Sequence, residues 1–150
     1  MEVIDPNSLY SLFLKVSRLH YLMTRELLEK INIYPGQPPL LLILYKHGGQ
    51  SQRELAERLK VKPATITVML NRIEKAGLIV RKQDDNDQRI SRVYITEKGR
   101  EICSKLREII LTIDRECFKD FNEQEKETLA MLFQKMTINL EKALNNQRVK

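Results

Sequence analysis

Leu78-Ile79-Val80-Arg81-Lys82-Gln83-Asp84-Asp85-Asn86-Asp87-Gln88-Arg89-Ile90-Ser91-Arg92-Val93-Tyr94-Ile95 is the stretch on which the fold turns. Leu78 to Lys82 is rich in strand formers, Asp84 to Asp87 is dense in turn residues, and Ile90 to Ile95 alternates between apolar and polar side chains. The pattern predicts a two-stranded hairpin. Immediately before it stands Gly77, whose lack of a Cβ suits the left-handed residue that ends a helix, with Leu78 placed to fold back on the last turn. The helix so ended begins at Pro63, a residue suited to a first helical position. Lys60-Val61-Lys62 is a brief turn before it. Ahead of that turn, Ser51-Gln52-Arg53-Glu54 reads as a capping box that opens another helix, with Leu55, Ala56 and Leu59 on its buried side. Two helices, a short turn and a hairpin make a helix-turn-helix with a wing.

Outside this segment the periodicity is helical. Leu9, Leu12, Phe13, Val16, Leu19, Met23, Leu27 and Ile31 predict an amphipathic helix from about Asn7 to Ile33, ended by the proline-rich Tyr34 to Pro39. A short apolar helix, about Pro38 to Lys46, follows. Downstream, Thr96 can cap a long helix with Cys103, Leu106, Ile110, Ile113 and Cys117 on one stripe. Asn122 and Glu125 form a second reciprocal cap, opening a last helix with Leu129, Leu132, Phe133, Met136, Leu140 and Leu144 on one face. Residues 145–150 read as a frayed tail. The expected architecture is mainly α with a small two-stranded β wing. It forms a single domain over residues 1–150, with the winged helix-turn-helix at about 37–99 between arms at about 1–36 and 100–150.

The 150 residues are 42% hydrophobic and 31% charged, with 5 Gly and 5 Pro, which suits a packed, regular domain and excludes disorder and collagen-like repeats. The longest apolar stretch, Leu40 to Tyr45, is far below the roughly 20 residues of a membrane-spanning helix, and the N-terminal residues carry no signal-peptide pattern. Cys103 and Cys117 have no metal-ligand spacing, so a reducing, cytoplasmic setting is expected. No phosphate-binding glycine loop, H-E-x-x-H helix or G-x-S-x-G elbow is present, so neither an enzyme nor a cofactor is expected. His20 and His47 are a poor basis for a metal site.

Net charge is +6, and between Lys46 and Arg100 there are 13 Lys and Arg against 7 Asp and Glu. The whole excess lies in the winged segment, while the arms are neutral. A polyanionic partner for the centre and another task for the arms follow, with a plain solvated basic face as the competing reading.

The residues resemble the MarR (multiple antibiotic resistance regulator) family, dimeric winged helix-turn-helix transcription factors of bacteria and archaea. The motifs are Ser51-Gln52-Arg53-Glu54-Leu55-Ala56, Leu70-Asn71-Arg72-Ile73-Glu74-Lys75-Ala76-Gly77-Leu78-Ile79-Val80-Arg81, and Asp87-Gln88-Arg89 followed by Ile95-Thr96-Glu97-Lys98-Gly99. The resemblance implies that the first helix and the last two are dimerisation helices. It further implies a repressor that binds a pseudo-palindromic operator in double-stranded DNA as a homodimer and is released by a small phenolic or lipophilic effector. The alternative is a winged-helix protein-interaction module, which would need no basic outward face.

In the helix from Pro63, the inward stripe is Ile66, Leu70 and Ile73, which leaves a short, polar, basic face outward. The candidate recognition residues are Lys62, Pro63, Ala64, Thr65, Thr67, Val68, Asn71, Arg72 and Lys75. Thr or Ala can touch a thymine methyl, Asn can pair with adenine and Arg with guanine. Lys62 is a weak cap, so the free N–H groups of this helix start suit a phosphate, which Lys60 and Lys62 could reinforce. Arg89 has the reach to enter a minor groove. The resemblance assigns Asp87 the task of bracing it, whereas Asp84 and Asp85 are read as turn formers. It also suggests an effector pocket near Arg18, His20, Tyr21 and Tyr45. Peroxide-sensing members carry a reactive cysteine in the first helix, which is absent here. Cys103 and Cys117 read as small buried hydrophobes.

Overall fold

The computed structural model describes residues 5–148. Helix α1 (Leu9–Glu29) starts at Ser8, whose hydroxyl accepts the Ser11 N–H at 3.2 Å. It stops four residues before the expected end. Asn32 takes a left-handed φ of 56°, and the Ile33 N–H turns back to the Leu28 carbonyl at 3.0 Å. An asparagine cap therefore ends the helix before the prolines are reached, and it turns Ile33 into the core. Helix α2 (Gln37–Lys46) holds Pro38 and Pro39 in its first turn and buries Leu40, Leu41 and Leu44. Buried Gln37 is satisfied by accepting the Tyr34 N–H at 2.9 Å.

Both halves of the expected capping box form at α3 (Gln52–Leu59). Ser51 Oγ accepts the Glu54 N–H at 3.2 Å, and Glu54 Oε2 accepts the Ser51 N–H at 2.6 Å. Lys60, left-handed at φ 53°, turns the chain into α4 (Pro63–Lys75). Gly77 has φ 75°, and the Leu78 N–H reaches the Ile73 carbonyl at 2.9 Å, which is the predicted helix stop.

The predicted hairpin is β2 (Ile79–Gln83) paired antiparallel with β3 (Ser91–Ile95). A third short strand, β1 (Gln50–Ser51), adds to the other edge of β3, so the sheet order is β1-β3-β2. Gln50 pairs with Val93 and Ser51 with Arg92. Two residues are too few to show an alternating pattern, so nothing in the local sequence marks this strand.

Helices α5 (Glu97–Phe118) and α6 (Glu123–Arg148) complete the chain. The chain divides into two compact units between Ile113 and Asp114. In the first, Leu28, Ile33, Leu40, Leu41, Leu44, Leu55, Ile66, Leu70, Ile73, Ile79, Val93, Cys103 and Leu106 form one buried cluster. Each fully buried aliphatic side chain stabilises by about 1.5–3 kcal/mol relative to exposure. The buried side of α5 differs from the expected stripe: Cys103, Leu106 and Ile113 are buried, whereas Ile110 is 49% exposed. Ile109, one position earlier, packs on the core in its place.

In the second unit, the Asn122 and Glu125 side chains accept each other's backbone N–H groups at 2.9 Å, as the cap pair predicts. Phe118 and Phe121 stack edge to face at 5.6 Å. Cys117 is exposed, which corrects the expectation of burial. Helix α6 continues through positions 145–148 instead of fraying, since no Gly or Pro interrupts it, and the last two residues of the expected tail lie outside the described residues. Among the described residues, no helix is long and apolar enough to cross a membrane.

Candidate nucleic-acid interface

Helix α4 buries Ile66, Leu70 and Ile73 and exposes Ala64, Thr65, Val68, Asn71, Arg72 and Lys75, the division read from the sequence. Ala64, Val68 and Lys75 lie at the middle of the outward face, Asn71 on the flank toward β2, and Arg72 on the flank toward Tyr34 and Gln37, with which it lines a cleft. Thr67 stands apart from the rest of the predicted face. It is half-buried, accepts a hydrogen bond from Gln52 Nε2, and donates its own hydroxyl proton to the Pro63 carbonyl at 2.9 Å. Its hydroxyl therefore links the start of α3 to α4.

Lys62 is extended, with φ −68° and ψ 149°, and no side chain caps the start of α4. Exposed Lys62, Pro63 and Ala64 surround this open end, where N–H groups and the helix dipole favour an anion. The other end of α4 is tied down. The Thr96 hydroxyl donates to the Gly77 carbonyl at 2.7 Å and accepts the Gly99 N–H at 3.1 Å, while Lys98 Nζ reaches the Ala76 carbonyl at 2.8 Å. The start of α5 thus satisfies carbonyls that the end of α4 leaves free.

At the wing, Arg89 is 90% exposed and grips Asp87 with both arms of its guanidinium: Nε to Oδ1 and Nη2 to Oδ2, each at 3.0 Å. The hydrogen bond from Arg89 holds the Asp87 carboxyl below its usual range. Asp84 forms the turn, its Oδ1 accepting the N–H groups of Asn86 and Asp87 at 2.9 and 3.0 Å. Its other oxygen takes Arg92 Nε. Arg92, together with these backbone donors, lowers the Asp84 carboxyl to about 2. Arg92 also donates to the Gly49 carbonyl at 2.9 Å and lies 3.5 Å from Glu54 Oε2, so one guanidinium joins the wing to β1 and the α3 cap. Sequence reading missed Arg92 and Arg81. Both lie on strands as ordinary basic residues, and their partners lie ten or more positions away, except Asp84 and Glu74.

The suggested effector residues are Arg18, His20 and Tyr21 on α1 and Tyr45 on α2, all exposed, with the Tyr45 ring 5.7 Å from the Arg100 guanidinium. Among the described residues, no cluster of three or more His, Cys, Asp or Glu side chains could hold a metal ion.

The family model described as "MarR family" matches residues 33–91, which take in α2 to the start of β3. The organic hydroperoxide resistance transcriptional regulator of Bacillus subtilis is 31% identical over 111 residues, covering 72% of this chain and 76% of that protein. The chain belongs to the MarR family. Another relative, the HTH-type transcriptional repressor MdtR of B. subtilis, is 38% identical over 74 residues, 49% of this chain and 48% of that protein. The fold of MepR from S. aureus, solved as a DNA complex, superposes with a TM-score of 0.75 at 23% identity, covering 91% of this chain and 99% of that one. The MarR family is one of transcriptional regulators, not enzymes, and its winged helix-turn-helix is the lobe whose outward face is described above.

Proposed function

We propose that this MarR-family regulator is a repressor that binds a pseudo-palindromic operator in double-stranded DNA as a homodimer and is released by a small phenolic or lipophilic effector. The observation that carries the reading is the basic outward face of α4, open at its N-terminus, on the same unit as the braced Arg89. Lys62, Pro63, Ala64, Thr65, Val68, Asn71, Arg72 and Lys75 would line the major groove, with Thr67 supporting them, and Arg89, held by Asp87, would enter the minor groove. The likeness to MdtR, a transcriptional repressor, and to MepR, solved as a DNA complex, supports the repressor and operator-binding roles.

Apolar residues left uncovered on each arm support the homodimer: Leu9, Leu12, Phe13, Val16 and Leu19 on α1, and Leu132, Phe133, Met136, Leu140 and Leu144 on α6. Such stripes call for a partner surface, and a twofold copy supplies one to both arms. The whole chain then acts as one domain in the cytoplasm, and two α4 helices meet half-sites about one helical turn apart. Arg18, His20, Tyr21 and Tyr45 are the proposed effector-lining residues.

The test is selection of fragments from a genomic duplex library, followed by titration of a retained fragment at two salt concentrations. A retained fragment with a steep salt dependence is expected, because phosphate neutralisation releases counterions. A flat salt response with no retained sequence would favour the protein-interaction alternative.

A further inference from the structure

The sequence alone lets Asn71 read adenine with both ends of its amide, but in the structure the oxygen end is already turned to another side chain. Asn71 Oδ1 accepts a hydrogen bond from Arg81 Nη2 at 2.5 Å. Arg81 is itself held: its Nε lies 3.2 Å from Glu74 Oε2 as an ion pair, with the N–H not aligned for a hydrogen bond. Its side chain is only 27% exposed, so the guanidinium is anchored between α4 and β2. The oxygen of Asn71 therefore faces the wing strand, and the planar amide carries its NH2 group away from it.

We propose that Asn71 reads its base pair as a donor only, and that Arg81 is the positioning residue that makes it so. This rests on the DNA-binding reading above. Guanine offers two neighbouring acceptors in the major groove, N7 and O6, and thymine offers O4. An outward NH2 group suits both. Adenine places an N6 amino donor beside N7, and cytosine presents only an N4 amino donor. Against cytosine donor meets donor, and against adenine the NH2 group can meet N7 alone, beside an N6 amino group that the amide oxygen, turned to Arg81, is not placed to accept. The residue type alone suggests adenine, whereas the Arg81 contact turns the preference toward guanine or thymine.

The experiment is selection from a duplex library randomised across the half-site, sequenced for the parent, Asn71→Ala and Arg81→Met proteins. In the parent, one pair per half-site should favour guanine or thymine over adenine and cytosine by roughly tenfold. Asn71→Ala should flatten that pair alone, and Arg81→Met should raise adenine there, a shift that a purely structural role of Arg81 would not produce. Thermal melting shows whether Arg81→Met is folded; if it is not, the parent against Asn71→Ala decides. Adenine preferred at the Asn71-dependent pair, or no pair altered by Asn71→Ala while the rest of the site is still selected, would overturn the inference. A parent that selects no sequence would overturn the DNA-binding reading, and this inference with it.

Discussion

A Cβ added to Gly99 would lie 2.2 Å from the Leu78 carbonyl oxygen and 2.6 Å from Ile95 Cγ1. The same carbonyl accepts the Thr96 N–H at 3.0 Å, so the first turn of α5 is pressed against the base of the hairpin with no room for a methyl group. Gly99→Ala should destabilise the fold by about 1–3 kcal/mol, toward the upper end because the clashing atom belongs to the backbone. Urea unfolding checks this, and an unchanged midpoint would remove the steric argument.

The wing should have its own acid transition. Asp84 has a carboxyl held at about 2, below the ordinary value of about 3.9. A carboxyl lowered by folding contributes stability that is complete above its unfolded value and lost as pH falls through its folded one. The Asn86 and Asp87 amide resonances should therefore move between about pH 4 and pH 2. In Asp84→Asn the Asn86 movement should shrink, while the Asp87 amide still follows its own carboxyl, with the wing already loosened at pH 7.

Arg89→Ala should lower affinity roughly tenfold and erase any preference for A·T-rich flanks, while the half-site sequence is still read. Asp87→Ala should lose less in the same direction, because an unbraced arginine surrenders more freedom on docking. Fluorescence anisotropy with A·T- and G·C-flanked duplexes separates the two effects. Equal binding by Asp87→Ala and the parent would show that the brace is dispensable.

Thiol titration should find no more than one fast-reacting cysteine per chain before denaturant is added. Cys103 is buried, with Sγ 3.6 Å from the Leu41 carbonyl, and desolvation pushes its thiol upward, away from the reactive thiolate. Two fast thiols would contradict its place in the core.

Legibility in the sequence followed the range of the interaction. The Ser51–Glu54 box, the Gly77 stop, the Asp84 turn and the Asp87–Arg89 pair each join residues within a few positions of one another; the first three were readable from residue type and spacing, and the fourth through the family resemblance. The inward stripe of α4 was readable too, because helical period alone sorts its faces. What escaped depends on partners brought together by folding: β1 against β3, Arg92 on Gly49, and Arg81 on Asn71. The stripe on α5 was displaced because apolar spacing allowed either Ile109 or Ile110 inward, and packing chose the first. The Asn32 stop is masked in the sequence because the prolines beyond it carry a louder signal than an asparagine.

The two-residue strand β1 makes the wing a cantilever. Support from three strands reaches only Val93 and Arg92, while Gln83, Ser91 and the loop between them project beyond it as a two-stranded beam. The Arg92 strut to Asp84 and Gly49 sits where the overhang begins, so it sets the stiffness of the beam at its root. The angular play of the wing tip is governed by a side chain that lies back along the beam from the residue it aims.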